Sequence, residues 1–483
     1  MNKRILNIFR TTCVFAVCAN TVLAQFIDFS DDRVKTPLDP GLKQIGAITP
    51  RTTKEIKSSR ITIGCEVLDR DLAVFDNYKT YLPYLGAKKA RIQAGWGKCE
   101  KVPGVYDWKW LDDIIDYLVA NDIEPWFELS YGNPAYPGGG GTGLLNSLMT
   151  SEEAYQAWDR WVEAAVTRYK DRVTEWEIWN EPDHPMQKIE PETTADLNIR
   201  TAKIIKRIQP EAEIAGLAFA SNSNKRYLTN FLQRIKEKGN LSDYTWISYH
   251  SYNWRPEDAY SEKAVLGLRE IINRYNPNIK LRQGENGAPS TYIPSFALAE
   301  YYWTEYTQAK YDMRRLLGDL GHDIETSVFT IIDINYNPVI NTKGLILSDT
   351  TKAAIRPKVA YYAVQNLTAV FDDEMRLCPD VKFTHNFTES LSLYAYKHEK
   401  TNLITLWNDS KIPSNDFSTK HVNLTAEGCT FKKPVWVDLM TGKIYEIPSA
   451  QWKNRSGSCT FSGLPVYDSP VLICEKDFIL KKH

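Results

Sequence analysis

The chain has 483 residues, 43% of them hydrophobic, and its 59 basic and 60 acidic side chains leave a formal charge of −1. That length allows two or three domains, or one α/β barrel of about 250 residues with additions. The lack of a basic excess excludes a surface built to neutralise a phosphate backbone, so nucleic acid is not an expected partner.

At the N-terminus, Lys3 and Arg4 precede the apolar run "CVFAVCANTVLA", and Ala24 offers a small residue before Gln25. This charged, apolar, small order reads as a secretory signal at residues 1–24 and predicts an exported, periplasmic or extracellular protein. The alternatives are an uncleaved anchor, for which the run is short, and a lipoprotein on Cys18, for which Phe15-Ala16-Val17 is a poor context. No later run is long enough to span a bilayer. Loss of residues 1–24 leaves Cys65, Cys99, Cys378, Cys429, Cys459 and Cys474. An export route permits disulfides; Cys65–Cys99 and Cys429–Cys459 are the expected pairs. No CxxC or dense Cys/His cluster is present, so neither a metal site nor a cofactor is expected.

Residues 25–60, interrupted by Pro37, Pro40 and Pro50, read as a lead-in segment. From Ile61 short apolar strands alternate with amphipathic helices. The strands fall at 61–66, 88–94, 123–129, 174–180, 213–219, 245–250, 279–285 and 327–333. Leu111, Ile114, Ile115 and Leu118 keep the i, i+3, i+4, i+7 spacing of a helix face. The alternation predicts a (β/α)8 barrel over 61–373. A doubly wound sheet is the alternative, but no Gly-rich phosphate loop follows the first strand. From 374 to 483 runs such as "LSLYAYK", "NLITLWND" and "PVLICEK" predict a small antiparallel β-sandwich. It either braces the barrel or binds carbohydrate.

Barrel active sites lie at the C-terminal strand ends. Glu181 stands just past the fourth strand and Glu285 closes the seventh, across the mouth. Glycines at 284 and 287 would let a ligand approach Glu285. Paired carboxylates across a cavity suit glycoside hydrolysis, in which one protonates the leaving oxygen and the other attacks or activates water. Each alone is as well read as a loop residue.

Trp-Asn-Glu-Pro at 179–182, with Glu285 ending the seventh strand, resembles the retaining (β/α)8 glycoside hydrolases of clan A. The barrel-then-sandwich order and the helix "RPKVAYYAVQNL" (356–367) make the chain most similar to glycoside hydrolase family 39, which includes β-xylosidases and α-L-iduronidases. The resemblance covers roughly residues 61–370. It implies Glu181 as acid/base and Glu285 as nucleophile, with carboxyl groups about 5–5.5 Å apart. It also implies Asn180 on the sugar 2-hydroxyl and Arg91 holding the nucleophile ionised. Tyr252 would reach the nucleophile and His250 the sugar.

Many clan members carry a tryptophan floor at the end of strand eight. Here "FTIIDINYNP" offers Asp333, Asn335 and Tyr336, which implies either a more polar subsite or another aromatic floor such as Trp96 or Trp254. The stretch "YGNPAYPGGGGTG" (131–143) reads as a mobile loop bringing Asn133 and Tyr136 to the mouth. A carbohydrate substrate is therefore the expected partner, and the sequence defines no oligomeric state. The competing functions are a non-catalytic carbohydrate binder on a decayed barrel and a transglycosylase.

Overall fold

The computed structural model describes residues 34–144, 148–187, 189–372 and 374–480. The expected signal at 1–24 lies outside them, as does the start of the lead-in segment. Eight parallel strands form one sheet: β1 (Ile61–Gly64), β2 (Lys89–Gln93), β3 (Glu124–Leu129), β4 (Glu175–Ile178), β5 (Glu213–Phe219), β6 (Trp246–His250), β7 (Lys280–Glu285) and β8 (Thr326–Val328). β8 pairs with β1, and a bridge between Arg282 and Glu325 joins β7 to β8, so the barrel is nearly closed.

The outer ring is built by α1 (Lys109–Ala120), α2 (Glu152–Tyr169), α3 (Pro191–Ile208), α4 (Lys225–Glu237), α5 (Val265–Tyr275) and α6 (Glu305–Gly321), with α7 (Val359–Val370) closing it. Their starts are written locally. Ser151 accepts a hydrogen bond from Ala154 N, Asn224 from Tyr227 N, and Thr304 forms a reciprocal cap with Thr307. The apolar stripe of α1 buries Leu111, Ile114, Ile115 and Leu118. Each such burial contributes about 1.5–3 kcal/mol.

The barrel interior is polar. In β4, Trp176 and Ile178 face the helices: Trp176 packs on Phe127 and donates to Gln209 at the end of α3. The alternate residues, Glu175 and Glu177, point inward, as the period of two requires. Low in the barrel, Arg282 pairs with Glu175 (2.7 Å) and Glu325 (3.3 Å) and lies between the rings of Trp126 and Trp246, at 4.3 and 4.1 Å.

After β8 the chain does not continue as strand to residue 333. It folds inward as two short hairpins, Ile334–Asn335 with Ile340–Asn341 and Ile346–Ser348 with Ala354–Pro357. The C-terminal part forms two antiparallel sheets, of seven and four strands. The lead-in segment is more than a connection: Lys43–Ala47 pairs with Lys443–Glu446 and forms the edge of the seven-stranded sheet.

Neither expected disulfide is formed; all six described cysteines are thiols. Cys65 lies beside Tyr78, whereas Cys99 Sγ donates to the Ala94 carbonyl, so the two thiols occupy different pockets. Cys429 and Cys459 are buried thiols of the sandwich. Among the described residues no helix is long and apolar enough to cross a membrane.

Arg282→Ala leaves buried Glu175 and partly buried Glu325 with Lys89 as their remaining cation, a loss expected to cost up to about 3–5 kcal/mol. Calorimetric melting should show a large drop in Tm, and Arg282→Met, which keeps the packing between the two tryptophans, a smaller one. Equal drops would mean that the packing between the two tryptophans contributes nothing and the lost ion pairs account for the whole effect.

Candidate active site

Glu181 follows β4 by three residues, and Glu285 is the last residue of β7. The backbone at the end of β4 is strained, with Trp179 at φ 69° and Glu181 at φ 48°. Non-glycine residues rarely adopt these values without compensating contacts. Here Trp179 N donates to Leu129 O (3.0 Å) and Glu181 N to Ala218 O (2.8 Å), pinning the turn between β3 and β5. Trp179 donates its indole N–H to Gln187, whose amide in turn holds the carbonyls of Asn180 and Glu181.

One oxygen of Glu181, one of Glu285 and a ring nitrogen of His250 all lie within 4.8 Å of one another. The two carboxylates keep 13% and 15% of their side-chain surface open, so a substrate can reach both. Tyr252 donates its hydroxyl to Glu285 Oε1 at 2.6 Å, and Arg91 approaches Glu285 Oε2 at 3.4 Å. His250 Nδ1 lies 2.8 Å from Glu181 Oε1, so this residue also orients the acid/base candidate. Burial pushes the His250 imidazole down, and Glu285 partly offsets that.

Arg91 organises the floor. Its guanidinium is fully buried and contacts Glu66, Glu128, Glu177 and Glu285, and it donates to Asn180 Oδ1 at 2.9 Å. The Asn180 amide donates one N–H to Tyr131 at 2.8 Å. That leaves its second N–H for a substrate hydroxyl. Burial raises Glu181 to about 7; His184 and Arg91 pull it down and Glu128 pushes it up. Trp176 forms no wall beside Glu181, because that ring faces the helices, and the charge that raises Glu181 is Glu128's. Burial also lifts Glu66, to about 8, with Glu285 adding to the rise.

Several expected ligand contacts are structural. Trp96 is fully buried, stacked on Tyr136 and Trp161, and donates to Glu100 at 2.6 Å, so it presents no face to a sugar. Asn133 donates to the Glu100 carbonyl and caps Ala135 N, and Tyr136 donates to Glu100 Oε1. The glycine stretch folds back on them: Gly139 O accepts from Asn133 N, and a Cβ on Gly139 would lie 1.9 Å from Asn133 O. Asp333 is buried against Lys358 Nζ at 2.6 Å and accepts from Gly344 N, because the chain turns inward after β8. The glycine after Glu285 serves packing as well, since a Cβ on Gly287 would meet Phe329 O at 2.2 Å. Trp254 is the aromatic that stays open, 41% exposed and parallel to Trp303 at 6.2 Å.

Sequence reasoning missed Glu66, Glu128, Glu177, Tyr131 and Lys343. The available signal was a charged residue at alternate positions of otherwise apolar strands, as in "EPWFEL" and "EWEI". Lys343 is buried, its Nζ donates to Ala297 O, and burial lowers its amine to about 7.

The fold is a (β/α)8 barrel with two carboxylates facing each other at its mouth. The model described as glycosyl hydrolases family 39 matches residues 95–313. A β-xylosidase of Caldicellulosiruptor saccharolyticus is 27% identical over 236 residues, covering 46% of this chain and 45% of that one. A β-xylosidase of Geobacillus stearothermophilus is 26% identical over 157 residues, covering 30% and 31%. The chain therefore spans less than half the length of these curated relatives. A family 39 glycoside hydrolase structure from the gut symbiont Bacteroides cellulosilyticus superposes with a TM-score of 0.63 at 16% identity, over 88% of this chain and 82% of that one. Over residues 95–313 the chain resembles glycoside hydrolase family 39, and its fold is shared with that family's solved structures.

As an acid, Glu181 works only when protonated. Its raised pKa keeps it so below about 7. Turnover of substrates with poor leaving groups should thus fall as pH rises through about 7. Glu181→Gln should lower their rate by about 10²–10⁴ and remove that alkaline limb. A limb that persists in Glu181→Gln belongs to another group.

Proposed function

We propose that the chain is an exported retaining glycoside hydrolase that acts by double displacement on β-linked, plant-type oligo- or polysaccharide. The observation that carries this is the close approach of Glu181 and Glu285, within 4.8 Å at their oxygens. Retaining pairs have carboxyl groups about 5–5.5 Å apart, whereas inverting pairs leave about 6.5–9.5 Å for a water. Glu285 attacks the anomeric carbon while Glu181 protonates the departing oxygen. Glu181, now ionised, then takes a proton from the water that releases the glycosyl-enzyme. Arg91 and Tyr252 stabilise the ionised form of Glu285 before attack. The two curated relatives named β-xylosidase make xylose the first sugar to test, and the order of residues 1–24 supports export.

An aryl glycoside panel of β-xyloside, β-galactoside, β-glucoside, α-L-arabinofuranoside and uronides identifies the sugar. On the active β-substrate, Glu285→Ala should abolish turnover, and azide should rescue it as the α-azide. Glu181→Ala should keep the first step for good leaving groups, and azide should give the β-azide. The opposite products would exchange the two roles, and full activity in both variants would overturn the reading.

A further inference from the structure

The loop from 286 to 304, between β7 and α6, has its own small core. Ala288, Leu298, Trp303 and Tyr311 cluster apart from the main core, with Tyr252, Tyr301 and Ile412 packed on them. Tyr252 couples this cluster to Glu285 through its hydroxyl, at 2.6 Å. Lys343 fastens the loop beside the same tyrosine: its Nζ donates to Ala297 O at 2.5 Å and stands 5.4 Å from the Tyr252 ring centroid. Phe296, Leu298 and Glu300 all lie in the left-handed region, at φ 75°, 64° and 61°. A chain holds such a run only where surrounding contacts force it, and forced loops gather at ligand sites.

The same rim holds every aromatic residue that is strongly exposed among the described residues: Tyr302 (84%), Tyr292 (50%), Trp254 (41%) and Phe296 (39%). They are supported from behind. Trp254 lies parallel to Trp303, Phe296 rests on Tyr336 at 4.9 Å, and Tyr292 and Tyr302 stand 6.0 Å apart. Rings in open water are unfavourable unless something covers them. Aromatic rings with polar edges suit the C–H faces and hydroxyls of sugars.

We propose that this aromatic rim binds neutral saccharide units adjoining the one cleaved, so that the preferred substrate is a chain rather than a single glycoside. The proposal rests on the glycosidase reading above. The rim is continuous with the carboxylate pair through Tyr252, which favours the substrate's own chain as the occupant over a second copy of the protein.

The test compares full-length wild type with Tyr292→Ala/Tyr302→Ala. The probes are the active aryl monoglycoside and the matching β-linked oligosaccharides, from disaccharide to hexasaccharide. Wild-type kcat/KM should rise with chain length. In the variant that rise should shrink by about tenfold, mainly through KM, as loss of about one ring contact implies. The aryl monoglycoside, too short to reach the rim, should change by less than about twofold. Calorimetry of hexasaccharide binding to Glu285→Ala reads the rim without turnover, so an inactive wild type sinks the hydrolase reading and leaves this test standing. A flat chain-length profile in wild type, or an equal fall on all substrates in the variant, overturns the proposal. So does a wild-type dimer that the double variant dissociates in sedimentation, because the rim would then be an interface between copies.

Discussion

A single buried guanidinium holds the mouth of this barrel together. Arg91 stands on β2 and meets carboxylates from β3, β4 and β7 and from the turn after β1. Taking that charge out of water is expensive, and only a full set of partners offsets it. Four carboxylates around one cation leave an excess of negative charge, and burial raises both Glu66, to about 8, and Glu177. The arrangement positions Asn180 and keeps Glu285 beside a fixed positive charge. Trp126 lies between the two buried arginines, 5.6 Å from Arg91 and 4.3 Å from Arg282, and so divides the site network from the ion pairs below it.

The two carboxylates reach their different environments by different routes. Glu181 is presented by a strained turn whose backbone bonds to β3 and β5. Glu285 sits on regular strand and is held by side chains, Tyr252 and Arg91. A strained presenter is tolerable because neighbouring strands over-determine it. Glu181 faces His250, and burial raises it to about 7, while Glu285 has a cation and a phenol beside it, so two residues of one type stand in different surroundings.

The C-terminal sheets brace this geometry. Arg314 of α6 pairs with Glu257 at 2.5 Å and donates to the Lys411 carbonyl, and Trp407 donates to Glu257 at 2.7 Å. Lys310 donates to Asp468 and to the carbonyls of Ser414 and Asp416. Glu257 belongs to the segment after β6 that also carries Tyr252 and Trp254. The sandwich therefore steadies the segment that reaches Glu285, which is the bracing role.

The sequence by itself determined the order of strands and helices, because apolar periodicity and caps such as Ser151 and Thr304 act over a few residues. It also marked Glu181 and Glu285, since strand ends can be read from pattern and a barrel places them on one face, whereas Arg91, Asn180 and Tyr252 were marked by the family resemblance. It did not separate Trp254 from Trp96. Both follow strands in glycine- or proline-rich stretches, and only the packing of Tyr136 and Trp161 decides that Trp96 is core. Nor did it reveal that the chain after β8 turns inward and buries Asp333 on Lys358. That outcome depends on a partner 25 residues away. The gathering of four carboxylates around Arg91 was likewise decided by tertiary structure, because they come from four separate segments that only the closed barrel brings together.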